Sequence, residues 1–140
     1  MVYLTVEDIK NICFEYARAH LAYDEPLPSF ETRFPNRLEA ALAVLKQSFS
    51  GTPVYPKLSE QAAVLFYEMV KQHPFLNGNK RLACVSFMTF LSLNEKWVRT
   101  SWKSLYDIAV TVANSRTENR EGVLSLLKEF IENNLYERGH

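Results

Sequence analysis

The stretch Leu82–Leu93 carries no charge, and its only polar members, Ser86, Thr89 and Ser92, are small. Drawn as a helix it is apolar on every side, so it can be satisfied only by neighbours all round. It is also well short of the roughly 20 residues a membrane span needs. Such a segment dictates a bundle with this helix at its centre. With 140 residues, 47% of them apolar and 13% aromatic, the chain has material for one domain (1–140) with a substantial core.

Apolar stripes at helical spacing supply the surrounding elements. Thr5 followed by Asp8 predicts a capped helix start, and Ile9, Ile12, Cys13, Tyr16 and His20 form the face behind it, with His20 a structural histidine partly tucked into the core. Asn36 predicts a second cap, before Leu38, Ala41, Leu42, Leu45 and Phe49. Ser59 predicts a third, before Ala62, Leu65, Phe66, Met69 and Val70, with Glu68, Lys71 and Gln72 facing water. Ser101 opens a helix striped by Leu105, Ile108, Ala109, Val112 and Ala113, and a last helix buries Val123, Leu127, Phe130, Ile131 and Leu135.

Between these lie a proline-rich loop, Leu21–Pro35, and the glycine- and proline-broken segment Ser50–Pro56, which reads as a loop or small hairpin. Met1–Leu4 reads as an edge strand, Trp97–Arg99 as a brief extended piece and Glu137–His140 as a frayed tail. The expected fold is all-α: about six helices around a buried central one, with room for a small β flap.

Sixteen basic and sixteen acidic residues cancel, so no overall field draws the chain to nucleic acid or to an anionic membrane. Cys13 and Cys84 sit in apolar helical contexts without metal-ligand spacing, as buried free thiols in a reducing compartment. Glu7, Asp8 and Lys10 break the first apolar residues, against a signal peptide. The expected location is the cytoplasm.

The chemistry is concentrated in His73-Pro74-Phe75-Leu76-Asn77-Gly78-Asn79-Lys80-Arg81. A helix starting near Gly78–Asn79 presents unpaired N–H groups and the positive end of its dipole, a setting for phosphate. Lys80 and Arg81 are unfavourable to the helix in its first turn and favourable to an anion there. Gly78 allows close approach to the backbone. His73 stands where it could take a proton from an incoming hydroxyl, Phe75 is placed to pin the loop, and Asn77 offers an oxygen to a metal held by phosphates. A plain polar joint between helices accounts for Pro74, Asn77 and Gly78, and leaves His73, Asn79, Lys80 and Arg81 unexplained. The inventory suits phosphoryl or nucleotidyl transfer.

The same stretch resembles the signature of the Fic/Doc family, H-x-F-x-(D/E)-(G/A)-N-(G/K)-R, at His73, Phe75, Gly78, Asn79, Lys80 and Arg81. Tyr3-Leu4-Thr5, the Leu38–Leu42 helix and the run into Ala83 look like its death-on-curing (Doc) branch. The resemblance implies a Fic-type helical bundle, His73 as general base, and Gly78, Asn79, Lys80 and Arg81 around the phosphates of ATP. It implies Mg²⁺ near Asn77. It also implies a target-docking flap at Gly51, Thr52, Pro53 and Val54, laid against a target segment by strand addition.

AMP-transferring members carry glycine where this chain has Lys80, and a second arginine where it has Cys84; the Doc branch has the lysine and lacks that arginine. The resemblance therefore implies a toxin that moves the γ-phosphate of ATP to a Ser/Thr hydroxyl of a translation factor, elongation factor Tu, and is silenced by a partly disordered antitoxin. Transfer of AMP is the alternative chemistry. Asn77 departs from the family's acidic metal position, which admits a catalytically silent nucleotide-binding regulator as a third reading. Thr117–Gly122 fits the short pattern of a self-inhibitory helix built around a glutamate, here Glu121, but the arginine such a glutamate pairs with is the one replaced by Cys84. Coincidence is the simpler account of that match.

Overall fold

The computed structural model describes residues 1–20 and 27–137. The first rod is a composite: α1 (Val6–Asp8), a π-helical stretch (Ile9–Phe14) and α2 (Glu15–His20). Thr5 and Asp8 close its start reciprocally, Thr5 Oγ1 accepting from the Asp8 N–H at 3.1 Å and Asp8 Oδ2 from the Thr5 N–H at 3.0 Å. In the widened π turn each residue advances by less than the usual ~100°, so the face drawn at regular spacing slips. Ile9, Cys13, Phe14 and Ala17 are buried, whereas Ile12, Tyr16 and His20 are exposed. The expected buried His20 is thus corrected: its ring lies on that of Tyr16, 4.7 Å between centroids, at the surface.

Residues 21–26 of the expected proline-rich loop lie outside the described residues; the remainder of that loop contains a short 3₁₀ turn at Phe30–Thr32. Next comes α3 (Arg37–Ala43), prolonged by a 3₁₀ turn, Val44–Lys46. Asn36 stands at its N-cap with φ 69°, but its side chain makes no capping bond. Phe49, expected on the buried face of this helix, is 79% exposed. The helix has ended by then, and Phe49 lies in a hairpin of β1 (Ser48–Phe49) and β2 (Thr52–Pro53). Ser50 and Gly51 turn the hairpin, both at positive φ (51° and 79°), the geometry that matches the right-handed twist of the strands.

The centre of the molecule is a pair of helices rather than one. α5 (Asn79–Leu93) is buried along almost its whole length, as its composition requires, and α4 (Leu58–Lys71) is buried continuously from Gln61 to Val70. This corrects two expectations. Ser59 is not the cap of α4: it lies inside the helix and donates to Glu132 Oε2 at 2.9 Å, while the Lys57 N–H is taken by Glu60 at 3.1 Å. Glu68 does not face water but is buried against Arg120.

α6 (Trp102–Asn114) and α7 (Arg120–Asn134) pack on this pair, with a 3₁₀ turn at Thr117–Asn119 between them. Ser101 caps α6 as expected, accepting from the Ser104 N–H at 3.0 Å. Ala113 is exposed rather than part of the buried stripe. The last helix stops at Asn134; Leu135 belongs to β4 (Leu135–Glu137), antiparallel to β3 (Lys96–Val98) with Trp97 opposite Tyr136. The rest of the expected tail, 138–140, is outside the described residues. Met1–Leu4 is not a strand. Its place is fixed by Asn94, whose Oδ1 accepts from the Val2 N–H at 2.8 Å and whose Nδ2 donates to the Val2 carbonyl at 2.9 Å. Both cysteines are free and buried. Among the described residues no helix is long and apolar enough to cross a membrane.

Candidate functional site

α4 and α5 are joined by the stretch that the motif occupies, and its shape is set by a few local constraints. Gln72 caps the end of α4, and His73 then adopts φ 51°, a left-handed conformation usually left to glycine. Pro74 comes next and forbids a further helical turn. Phe75 is fully buried, its ring 5.6 Å from that of Phe14 and 5.9 Å from that of Phe30. Such burial contributes about 1.5–3 kcal/mol toward holding the loop.

Asn79 locks the turn. Its Oδ1 accepts from the Phe75 N–H and its Nδ2 donates to the Phe75 carbonyl, both at 2.9 Å and both buried. These bonds orient the amide onto the Phe75 backbone and take one of its two N–H groups, which leaves the backbone N–H of Asn79 as a donor for an anion at the helix start. Gly78 is the N-cap of α5 at φ 76°. A Cβ at Gly78 would lie 2.2 Å from Leu27 Cδ2 and 3.2 Å from Arg81 Nη2, so neither the backbone nor the space admits a side chain.

From the other side, the segment leading into α3 holds the same loop. The Phe34 N–H donates to the Pro74 carbonyl at 2.8 Å, and Arg37 Nη1 donates to the His73 carbonyl at 3.3 Å. A left-handed histidine costs of order 1–3 kcal/mol and persists where its surroundings over-determine it. These two bonds, with Pro74 and the Asn79 clamp, provide that.

The result is a cleft of about 320 Å³ at the N-terminus of α5, lined by His73, Leu76, Asn77, Gly78, Asn79, Lys80 and Arg81. The first bond inside α5 runs from the Leu82 N–H to the Gly78 carbonyl, 2.9 Å, so the N–H groups of Asn79 and Lys80 have no partner within the helix. The N-cap glycine has no side chain to cap this end, and no acid stands in the first turn. The Arg81 side chain is buried with its guanidinium beside Gly78, and Lys80 is half-buried at the rim. His73 is exposed at the opposite side of the turn.

Asn77 Oδ1 is buried and without a hydrogen-bond partner among the described residues. Asn77 is also one of the residues that line the cleft, and an amide oxygen without a partner is of the type that can serve Mg²⁺ as a neutral ligand. Among the described residues no cluster of three His, Cys, Asp or Glu side chains could hold a metal, so an ion here would depend on Asn77 and on bound phosphates.

Cys84 is buried on α5, and burial pushes its thiol up to about 12, so it brings neither charge nor guanidinium toward the cleft. Sequence reasoning misses three cleft residues: Val70, Tyr106 and Ala113. The last two lie on α6, and no local pattern marks them, because only the packing of α6 beside α4 and α5 brings them there. The hairpin bearing Gly51, Thr52, Pro53 and Val54 does not line the cleft; it hangs from the far end of α3, whose first residue, Arg37, touches His73. Glu121 is 89% exposed, pairs with Arg120 at 3.2 Å, and lines a different, smaller cleft with Tyr55 and Lys128.

Comparison with known proteins agrees with the motif. Residues 3–91 match the Fic/DOC family. A stretch of 57 residues is 37% identical to Toxin Doc of Mycolicibacterium smegmatis, covering 41% of this chain and 44% of that protein. The alignment thus spans less than half of that relative's length. No solved structure matches.

Proposed function

The chain belongs to the Fic/Doc family, and from that premise we propose that it is a Doc-like toxin, a protein kinase that transfers the γ-phosphate of ATP to a Ser or Thr hydroxyl of a translation factor. The observation that carries the reading is the N-terminus of α5: a helix start whose N-cap is a glycine at φ 76°, with Lys80 in the lining of the cleft and Arg81 beside the glycine. Phosphate oxygens would complete the backbone donors there, and the two cations would neutralise the charge that spreads over the transferring group.

His73 takes the proton of the target hydroxyl as that oxygen bonds to the γ-phosphorus. The bond from phosphorus to the bridging oxygen breaks, and ADP leaves with the electron pair. Mg²⁺, when bound, would neutralise phosphate charge, with Asn77 as its protein ligand. The hairpin at Gly51–Val54 is assigned to the target, as a strand onto which an extended segment can add. A partly disordered antitoxin is the proposed silencer, in keeping with the likeness to Toxin Doc.

Lys80 and Cys84 support γ-phosphate transfer over AMP transfer, because the second guanidinium expected of AMP-transferring members is replaced by a buried, neutral thiol. Incubation with elongation factor Tu and ATP labelled at either the α- or the γ-phosphate tests this. Label entering the target from the γ position alone is expected; label entering from the α position overturns the kinase assignment. Asn77 favours a second reading, a nucleotide-binding regulator without turnover, since an amide brings no charge to the metal. Under the kinase reading Asn77→Asp raises the rate; under the regulator reading neither the wild type nor that variant transfers label, though both bind ATP.

A further inference from the structure

Glu68 lies in the last turn of α4, ahead of His73, and both of its carboxylate oxygens are engaged. Oε1 accepts from Arg120 Nη2 at 3.1 Å and Oε2 from Gln72 Nε2 at 3.0 Å. The Glu68 side chain is only 9% exposed. Arg120, the first residue of α7, also reaches Tyr55 Oη at 3.3 Å and lies over the Tyr67 ring, 5.4 Å from its centroid. Tyr55 stands two residues past β2, and Gln72 immediately precedes His73. A continuous set of bonds therefore runs from the base of the hairpin through Arg120, Glu68 and Gln72 to the residue before the left-handed histidine. None of the four lines the cleft.

A buried ion pair adds little net stability over an apolar pair of the same volume, because desolvation offsets the Coulomb attraction. It is better suited to fixing one arrangement. The arrangement fixed here joins the hairpin base to the C-terminal turn of α4, whereas the other bond from α4 to Tyr55, Gln61 Nε2 to the Tyr55 carbonyl at 2.8 Å, comes from the N-terminal part of that helix. Arg120 lies within Thr117–Gly122, so that stretch has a use unrelated to self-inhibition.

We infer that Glu68 and Arg120 are positioning residues that lock the hairpin base and the C-terminal turn of α4 into one frame, so that a target segment added to the hairpin and the His73 imidazole keep a fixed relation. This rests on the reading of His73 as the base and of the hairpin as the docking element. The two residues act through Gln72 and Tyr55; they do not touch the reacting atoms.

Removing either charge strands the other and endangers the fold, so the test cuts the outer links instead. Gln72→Met keeps length and loses the donor, Gln72→Lys restores a donor, and Tyr55→Phe loses only the hydroxyl. The readouts are the NMR imidazole signals of His73, with His20 as internal reference, and hydrogen exchange of the Phe75 amide, which bonds Asn79 Oδ1 at 2.9 Å. In Gln72→Met and Tyr55→Phe the His73 signals shift or split while those of His20 stay put. In Gln72→Met the Phe75 amide exchanges about tenfold faster, and Gln72→Lys recovers most of the protection. Unchanged His73 signals and unchanged Phe75 exchange in both Gln72→Met and Tyr55→Phe overturn the inference, as does a Lys variant no better than Met. Neither readout needs turnover, so an inactive protein can still pass, and loss of the kinase reading is seen separately in the labelled-ATP assay.

Discussion

Two helix starts in this molecule obey opposite rules. At α1 the chain closes its own N-terminus: Thr5 and Asp8 exchange side chain and backbone bonds, and Glu7 and Asp8 put negative charge in the first turn. α6 is likewise closed by Ser101. At α5 the N-cap residue itself closes nothing. The N-cap is a glycine, the first turn has no acid, and Lys80 and Arg81 add positive charge where the dipole is already positive. The first kind of start serves the helix; the second suits the anion that the proposed function places there. A cap is a fixed stabilisation of about 1 kcal/mol; an uncapped end gives up that contribution until a ligand provides it. The burial of α5 on every side explains how the fold tolerates this, since packing holds the helix whatever its terminus does.

The largest expected effect separates chemistry from binding at the open end. His73→Ala lowers transfer by roughly 10²–10⁴-fold while leaving the temperature shift caused by ATP intact, because His73 is exposed and lies off the helix start. Loss of both together would mean that the histidine organises the cleft. Gly78→Ala comes next. Its Cβ would meet Leu27 at 2.2 Å in a left-handed backbone, so a loss of about 2 kcal/mol or more in denaturant unfolding is expected, together with loss of ATP binding.

Lys80→Ala sharpens the contrast most directly. It should weaken ATP binding about tenfold in calorimetry and leave the unliganded protein as stable or slightly more so, since a misplaced cation is gone. Thr5→Ala should do the converse, lowering stability by about 1 kcal/mol with no change in ATP affinity. If both variants moved the same quantity, the two starts would not differ in purpose. The smallest effect concerns α5 further along. With its thiol pushed up to about 12 by burial, Cys84 should resist alkylation at pH 8 in the folded protein and react once it is unfolded. The same shift makes stability fall as pH rises above the ordinary thiol range, where the unfolded thiol ionises and the folded one does not.

Much of this is legible in the chain because it is local. The all-apolar Leu82–Leu93, the Thr5 and Ser101 caps and the crowding of His73, Gly78, Lys80 and Arg81 depend on neighbours within a few residues. The side chains that mislead are those whose surroundings come from afar. Glu68 looks solvated because its partner, Arg120, is distant in sequence. Phe49 looks buried because helical spacing carries on past the point where Ser50 and Gly51 turn the chain. Ile12, Tyr16 and His20 look inward because a π turn leaves no trace in a count by 3.6.

Periodicity, capping and motif spacing are short-range properties, and they suffice to establish a helical bundle and to locate the family motif at 73–81. Packing is what turns the Asn79 amide onto Phe75, leaves Asn77 Oδ1 without a partner among the described residues and brings Tyr106 and Ala113 to the wall of the cleft. Those facts turn on which groups burial forces together, and burial is settled by the packing of whole helices.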